Sequence, residues 1–164
     1  MAQWSSSAPK GDCVDAAERL IRNQTGTGIE RGHLEALVDT IVLWLSRYEP
    51  RTVSDATLDG DGTTWQFALS LLSVAWVQGF SRIHEIEHPL DERPKSTLDP
   101  QGYYLNPRAP AETSLYFADT PASGTNNIRV VYTTVHALTS SSTSIPANEQ
   151  PAYEYALACQ ACRL

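Results

Sequence analysis

The chain has 164 residues, of which 41% are hydrophobic and 19% charged, and this length suits one domain with a core of its own. Twelve Lys and Arg against nineteen Asp and Glu give a net charge of −7. This acidity disfavours nucleic-acid binding, which depends on basic side chains that neutralise phosphates. It would also keep DNA that passes nearby from adhering to the protein, since like charges repel.

The cysteines and the hydropathy pattern limit the compartment. Cys13, Cys159 and Cys162 are an odd number, which argues against a complete disulfide framework. Residues 1–10 lack the apolar centre of a secretory segment. The apolar runs at 41–45 and 69–77 are much shorter than the ~20 residues that span a bilayer. We expect a soluble protein made in a reducing cytoplasm.

Two helices are predicted at the start of the chain. Asp12 can cap the first, over residues 12–22, and the glycines at 26 and 28 end it. The second, over residues 30–48, ends before Pro50, which cannot continue a helix. Its apolar residues recur at helical spacing. They are Leu34, Leu37, Val38, Ile41, Val42, Leu45 and Tyr48.

The middle of the chain is predicted to be a β region with long connections. Alternation is weak over 51–61, residues 65–77 favour a strand and then a loop, and residues 80–87 alternate as a strand. Residues 89–113 contain five prolines. This predicts an extended arm or a long loop, with at most one short strand at 103–105. Strands follow at 114–117 and 128–138, separated by a turn at 121–127.

The last predicted element is a helix that Asn148 caps and that runs to the end of the chain. Together the elements predict an α+β fold, with a helical core of about three helices, an inserted antiparallel β region and long loops. We expect one domain, with N-terminal helices over 12–48, a β region over 51–138 that includes the arm 89–113, and a C-terminal helix over 146–164. Contacts in the helical core are expected to involve Leu37, Ile41, Leu45, Tyr155, Ala156 and Cys159.

Cys159 and Cys162 form a Cys-x-x-Cys pair near the end of the last helix. A redox pair of this type belongs at a helix N-terminus, where the helix dipole lowers the thiol pKa. A zinc site would need two further ligands. We therefore interpret both cysteines as small apolar residues in a buried stripe of the helix.

Two other patterns resemble metal-binding motifs. Residues 84–88 read His-Glu-Ile-Glu-His, which matches the His-Glu-x-x-His pattern of zinc hydrolases. That pattern binds zinc only on a helix, where both imidazoles converge, and the alternation here favours a strand. Asp59 and Asp61 stand in an Asp-Gly-Asp-Gly turn that lacks the remaining acidic ligands of a calcium loop. No pattern therefore predicts a catalytic residue, a metal or a cofactor.

Several short motifs follow one another over residues 34–164. A helix ends at Tyr48-Glu49-Pro50, WVQGFSRIHEIEHP occupies residues 76–89, IRVVYTTVHAL occupies residues 128–138, and Ile145-Pro146 leads into the Ala-rich helix. Each motif is ordinary alone. Their order resembles the head-to-tail connector (adaptor or neck) proteins of tailed bacteriophages.

The resemblance implies a structural virion protein rather than an enzyme. It would be assembled in the host cytoplasm into a homo-oligomeric ring, expected to be a dodecamer, beneath the portal. The ring would enclose the DNA channel without sequence-specific binding and receive the next neck or tail protein. No membrane or cofactor is implied, and because the helix runs to the last residue, no longer tail is expected to insert into the portal.

Contacts with neighbouring subunits and the portal are expected in the Pro-rich arm and the last helix. The candidate contact residues are Arg93, Tyr103, Tyr104, Gln160, Arg163 and Leu164. Three other interpretations stay open, one of which is a generic binding module whose β region presents a loop to a ligand. A stopper or tail-terminator protein would also be acidic and multimeric. A small zinc-dependent hydrolase would use His84, Glu85 and His88.

Overall fold

The computed structural model describes residues 3–25, 29–106 and 113–163. The helices are α1 (Pro9–Thr25), α2 (Arg31–Ser46) and α3 (Gln150–Ala161). The strands are β1 (Arg51–Gly60), β2 (Gln66–Ala68), β3 (Arg82–Glu87), β4 (Tyr103–Asn106), β5 (Ser114–Phe117) and β6 (Gly124–Thr134), with a short 3-10 turn at Leu69–Leu71. The predicted α+β class is confirmed. Among the described helices, none has both the length and the apolarity needed to cross a membrane.

The chain divides into two compact units. The helical unit comprises Met1–Arg51 and Val135–Leu164, and the β unit comprises Thr52–Thr134. The β region is thus inserted in the sequence between the second and third helices. That the whole chain acts as a single domain stays a prediction.

The three helices of the helical unit pack against one another in every pairing. α2 buries most of the apolar stripe that the sequence predicts, with Ile41 at 6% exposure, but Tyr48 of that stripe is 74% exposed. Leu37 and Leu45 pack at the margin of this core. The buried cluster contains Trp4, Cys13, Val14, Ala17, Ile21, Leu34, Val38, Ile41, Val42, Leu138, Ile145, Tyr153, Leu157, Ala158 and Ala161.

The N-terminal segment is fixed to α3 by Trp4. The Trp4 backbone N–H donates to Gln150 Oε1 at 3.0 Å, and its indole N–H donates to Glu154 Oε1 at 2.7 Å. The indole also meets Tyr153 edge-on, with 6.4 Å between ring centroids. A polar stretch that the sequence analysis left without structure therefore contributes a buried aromatic ring to the core.

A polar cluster lies inside the helical unit around Ser46, which is fully buried. The Ser46 hydroxyl donates to Val42 O at 2.6 Å and accepts the backbone N–H of His136 at 3.0 Å. The His136 ring nitrogens lie 3.1 Å from Ser144 O and 3.1 Å from Glu49 O. These bonds pair the polar backbone groups where the chain leaves α2. Buried polar groups need such partners, because an unpaired one destabilises the core.

Two three-stranded sheets form the β unit, with strand orders β1-β6-β3 and β2-β5-β4. β5 pairs antiparallel with β2 and with β4, and β3 pairs antiparallel with β6. The register between β3 and β6 is irregular between Ile83 and Glu85. The inward side chains form one cluster: Val53, Leu58, Phe67, Leu69, Leu72, Ile86, Leu115, Phe117, Ile128, Val130 and Tyr132.

Strand β1 differs from the prediction for residues 51–61. Residues 51–60 form a strand, although the weak alternation of their sequence predicted none. The alternation is weak because a charged residue occupies an inward position. Asp55 is 2% exposed and stands where an apolar side chain would complete the pattern. At the end of the strand Gly60 comes so close to the Ala122 carbonyl that an added Cβ would lie 2.2 Å from its oxygen.

Strand β6 begins earlier and ends earlier than predicted. The predicted turn at 121–127 becomes strand from Gly124, because polar side chains continue the pairing: Asn127 Oδ1 accepts the Gly60 N–H at 2.7 Å. Asn127 also donates to Ala122 O at 2.7 Å. Residues 135–138, predicted to be strand, belong to the helical unit.

Side chains hold the segment 69–77 against the β unit. Ser73 donates its backbone N–H to Asp55 Oδ2 at 2.6 Å and its hydroxyl to the same oxygen, while Thr57 donates twice to Asp55 Oδ1 at 2.9 and 2.6 Å. The Tyr132 hydroxyl donates to Val74 O at 2.5 Å, and the Thr134 hydroxyl donates to Ala75 O at 2.9 Å. This segment is thus ordered by hydroxyl and carboxylate contacts.

For residues 89–113 the structure shows, over its described part, the predicted long loop and not an extended arm, and the short strand predicted at 103–105 is observed as β4. Residues 88–98 fold back on β3: His88 donates its N–H to Ser96 O at 3.0 Å, and Leu98 donates its N–H to Ile86 O at 2.8 Å. Leu98 packs against the core, and residues 103–106 form β4. The prolines break regular pairing, yet enough apolar side chains remain to fix the segment. Residues 107–112 of the predicted arm lie outside the described residues.

The Ile41→Ala variant should destabilise the helical unit by about 2–5 kcal/mol, because it removes a buried side chain and leaves a cavity. Urea unfolding followed by circular dichroism measures the change. Leu43→Ala is the matched control, since Leu43 lies on the same helix at 41% exposure; its effect should stay within about 0.5 kcal/mol. Equal effects from the two substitutions would contradict this packing.

The Asp55→Asn variant should lose roughly 1–3 kcal/mol at pH 7, because its amide NH₂ would face donors that the carboxylate accepts. Burial alone would raise the pKa of Asp55, but the hydrogen bonds from Ser73 and Thr57 outweigh it and hold the pKa below its ordinary value. The carboxylate's contribution is therefore present at neutral pH and is lost only as the pH falls below the usual Asp range of about 4.

Urea unfolding of wild type and Asp55→Asn at pH 7 and at pH 3 tests this linkage. The difference in unfolding free energy should be largest at pH 7 and shrink at the lower pH. Glu92→Gln, the same chemical change at an exposed residue, should have no such effect. A wild-type advantage that stays constant over this pH range would rule out the role given to the Asp55 carboxylate.

Candidate protein-binding surfaces

The outward face of α3 is apolar. It carries Ala152, Tyr155, Cys159 and Cys162, all exposed, at spacings of 3, 4 and 3 residues. That spacing is typical of the seam of a coiled coil, in which a second helix packs along the a and d positions. We call these four residues the α3 seam.

The prediction that Cys159 and Cys162 are buried is wrong, and so is the predicted packing of Tyr155 in the helical core. Both cysteines are exposed, and Tyr155 is 58% exposed. α3 buries the opposite face, through Gln150, Tyr153, Leu157, Ala158 and Ala161. Because the helix is rich in Ala on all sides, its sequence offers two apolar stripes, and the larger side chains Tyr153 and Leu157 occupy the core.

Two apolar grooves flank the α3 seam. The groove beside α2 has a volume of about 290 Å³ and is lined by Thr40, Ile41, Trp44, Ala156, Cys159, Gln160 and Arg163. The groove beside α1 has a volume of about 400 Å³ and is lined by Leu20, Ile21, Tyr155, Ala158, Cys159, Cys162 and Arg163. Among these described lining residues Arg163 is the one charged side chain, and it borders both grooves. A helix seated here would therefore meet apolar walls and one cation.

The predicted contact residues of α3 lie at this surface. Gln160 and Arg163 line the grooves, whereas Leu164 lies outside the described residues. Beside them, Trp44 at 48% and Tyr48 at 74% exposure form an edge-to-face pair with 5.3 Å between ring centroids. Tyr and Trp are enriched in the interfaces between proteins. Tyr48 was predicted to lie on the apolar stripe of the helix, and neither residue was predicted to be a contact residue.

The described part of the predicted arm is a fixed loop, residues 88–98. The base of this loop is closed by the backbone bonds from His88 to Ser96 and from Leu98 to Ile86. The Ser96 hydroxyl also donates to His88 O at 2.9 Å. Lys95 pairs with Glu85, and Arg129 donates to the buried Glu87 at 2.8 Å. Arg93 stands exposed at the tip, next to exposed Pro94. Among the described residues Arg93 has no ion-pair partner.

The predicted contact tyrosines point in opposite directions. Tyr103 is half-buried and packs against the core of the β unit, while Tyr104 is 53% exposed. Tyr104 stacks on Tyr116 with ring centroids 4.9 Å apart and planes 9° from parallel. Tyr116 in turn meets Trp65 at 5.2 Å, and Trp65 is 49% exposed. We call Trp65, Tyr116 and Tyr104 the aromatic row.

The aromatic row was missed by the sequence analysis. Tyr104 and Tyr116 are register partners on adjacent strands, so their proximity depends on a strand pairing that the sequence did not reveal. The alternation within β5, where Leu115 and Phe117 are buried around Tyr116, is the one signal that could have placed Tyr116 on the outer face.

The residues of the zinc-hydrolase alternative do not converge. His84 and Glu85 lie on a strand, β3, and Glu85 pairs with Lys95. Both ring nitrogens of His88 are engaged by the backbone: Nδ1 donates to Asn127 O at 3.1 Å and Nε2 accepts the Ala122 N–H at 2.9 Å. Over the described residues, no group of three His, Cys, Asp or Glu side chains is arranged to hold a metal ion.

The acidic turn at Asp59 and Asp61 is structural in the same way. Asp61 accepts the backbone N–H groups of Thr63 and Thr64 and the Thr64 hydroxyl, which hold the pKa of its carboxyl well below the usual range. Asp59 accepts the backbone N–H of Asn126. These carboxylates close loops of the β unit.

Comparison with known proteins gives little. No family model matches the sequence, and no curated protein matches it. A similar solved structure is described as the neck of an empty GTA particle computed with C6 symmetry, 18% identical in sequence. The match covers 100% of this chain and 82% of that chain, with a TM-score of 0.36. A likeness this distant carries no argument about function.

Thiol labelling should separate the three cysteines. Burial, with a smaller effect of the nearby Glu154, raises the pKa of Cys13 to about 12, whereas Cys159 and Cys162 are exposed. Because the thiolate is the nucleophile, an aromatic disulfide reagent should titrate two thiols in the native protein and three after unfolding. The Cys159→Ser/Cys162→Ser double variant should show none before unfolding. Rapid native labelling of Cys13 would contradict the packing of α1 against α3.

Proposed function

We propose that this protein is a structural component of the neck of a phage-type particle. In this role identical copies form a ring between portal and tail, surround the DNA passage and dock the next neck or tail component. The observation that carries the proposal is the α3 seam with its two flanking grooves. A face of this kind needs a partner, because a helix with an exposed apolar seam gains stability by packing against another helix.

The shape and charge of this surface define the partner. An amphipathic helix fits, with apolar residues at 3 and 4 spacing that cover Tyr155 and Cys159. Since Arg163 borders both grooves, the partner helix should also carry an acidic side chain or a terminal carboxylate near that position. Helix-in-groove recognition of this type relies on a few aromatic and apolar anchors. Tyr155 and Trp44 are the anchors available here.

The charge of the chain fits a wall beside DNA. The net charge is −7, and most of the cations near the loop 88–98 are paired with carboxylates, as Lys95 and Arg129 are. A ring with such a surface does not bind phosphates and lets the duplex slide past. The order of sequence motifs that resembles connector proteins supports the same role.

A non-catalytic role agrees with the use of the ionisable side chains. Several carboxylates and histidines hold backbone groups. Asp55, Asp61, His88 and His136 each fix a connection between elements. Over the described residues, no His, Cys, Asp and Glu side chains form the three-ligand cluster that a zinc hydrolase requires.

Particles produced by cells that carry this gene provide the test. The protein should co-purify with tailed particles in a fixed copy number, and electron microscopy should place a ring of it at the junction of head and tail. Complementation of a gene deletion by Tyr155→Glu should yield unjoined heads and tails, because the substitution buries a charge in the seam contact. Tyr155→Phe should restore joining.

Ser140→Glu is the control, because it adds the same charge to an exposed residue in the linker outside the grooves. It should leave joining unchanged. Absence of the protein from purified particles contradicts the proposal. So does stoichiometric zinc together with a hydrolytic activity that Glu85→Ala abolishes, which would restore the zinc-hydrolase alternative.

A further inference from the structure

The aromatic row presents open π surface. Tyr116 lies in the middle, stacked on Tyr104 and tilted against Trp65. The outer ring faces of Trp65 and Tyr104 therefore remain free, at 49% and 53% exposure. Cross-strand stacking accounts for the contact between the rings. Stacking does not explain why the side chains of Trp65 and Tyr104 are each about half exposed to solvent. An exposed apolar patch of this kind is typical of a binding surface.

The chemistry of the row selects a cation. The face of an aromatic ring carries negative electrostatic potential, and it attracts guanidinium groups most often, with Trp the best ring acceptor. Two polar neighbours on this face of the sheet are uncharged: Gln66 donates to the Ser114 hydroxyl at 3.3 Å. The row therefore fits a planar cation accompanied by an apolar surface.

The loop 88–98 offers such a group on the same chain. Arg93 is exposed and has no ion-pair partner or ring contact among the described residues, unlike Lys95 and Arg129 in the same region. Pro94, also exposed, supplies an apolar ring beside the guanidinium. Hydrogen bonds between His88 and Ser96 close the base of the loop. The tip is therefore ordered before it binds, which lowers the entropic cost of association.

We propose that Arg93 and Pro94 of one copy bind the aromatic row of a second copy of this chain. The donor loop and the acceptor row are different surfaces, so the contact is heterologous, and repetition closes into a ring when the rotation permits. This inference rests on the proposed function for its ring, and it names the contact between neighbours, whereas the α3 seam serves a different component.

Assembly of the purified full-length chain tests the contact. Mass photometry and sedimentation velocity over a range of concentrations give the concentration at half-assembly. Arg93→Gln and Tyr104→Ser should each raise it roughly tenfold, and Arg93→Lys should raise it less because it keeps a cation. Glu92→Gln, at the neighbouring tip position, is the matched control and should change nothing. Unchanged melting temperatures confirm that each variant is folded.

A double-mutant cycle identifies the partner surface. If Arg93 binds the row, Arg93→Gln combined with Tyr104→Ser should be no weaker than either single variant, because each removes the same contact. Additive effects, unchanged assembly in Arg93→Gln, or a wild-type chain that stays monomeric at every concentration would overturn the inference. Presence in particles is scored separately. A ring at the neck that assembles normally with Arg93→Gln would leave the proposed function standing and this contact refuted.

Discussion

Tyr153 is the side chain around which the helical unit is organised. At 3% exposure it meets Trp4 edge-on and lies 6.5 Å from the ring of His136. The N-terminal segment, the exit from α2 and the third helix thus converge on one aromatic ring. Burial, opposed by a hydrogen bond with Ser46, raises the pKa of its phenol. The hydroxyl therefore stays neutral at physiological pH, as a buried group with hydrogen-bonding neighbours should.

The inward position of Tyr153 decides which face of α3 meets water. With 3.6 residues per turn, a helix that buries 153, 157, 158 and 161 must turn 152, 155, 159 and 162 outward. The exposed thiols, the two grooves and the position of Arg163 all follow from that rotation. A helix turned by about 100°, the rotation per residue, would hide the seam and expose Tyr153, so packing and binding surface are set by one choice.

Sequence patterns predicted the helices well because α1 and α2 each have one apolar stripe facing one core. The spacing of Leu34, Val38 and Ile41 predicted one buried helix face and no alternative to it. α3 was misread because alanine and cysteine give both of its faces similar polarity, and the sequence does not reveal that Tyr153 has Trp4 and His136 to pack against. Periodicity reports the shape of an element, whereas the choice between two similar faces depends on neighbours distant in the chain.

The same limit explains the β unit and the candidate contacts. β1 was missed because Asp55 interrupts its apolar alternation, and the partners that make the buried carboxylate tolerable, Ser73 and Thr57, include one that is 18 residues away. The prolines of the segment 89–106 predicted an extended arm or a long loop. They do exclude long strands, but they do not reveal that side chains fix the loop. Arg93 and Tyr104 were singled out by composition alone, and only the strand register brings Tyr104 to Tyr116.

The hydrogen bonds that hold the segment 69–77 determine which of the residues involved can be substituted. Tyr132 and Thr134 bond to the carbonyl oxygens of Val74 and Ala75, and every residue type supplies such an oxygen. Ala75 is exposed, so evolution is free to alter its side chain without loosening the attachment. The hydroxyls at 132 and 134 and the carboxylate at 55 have no such freedom. Related chains should therefore vary at the held position and keep the groups that hold it.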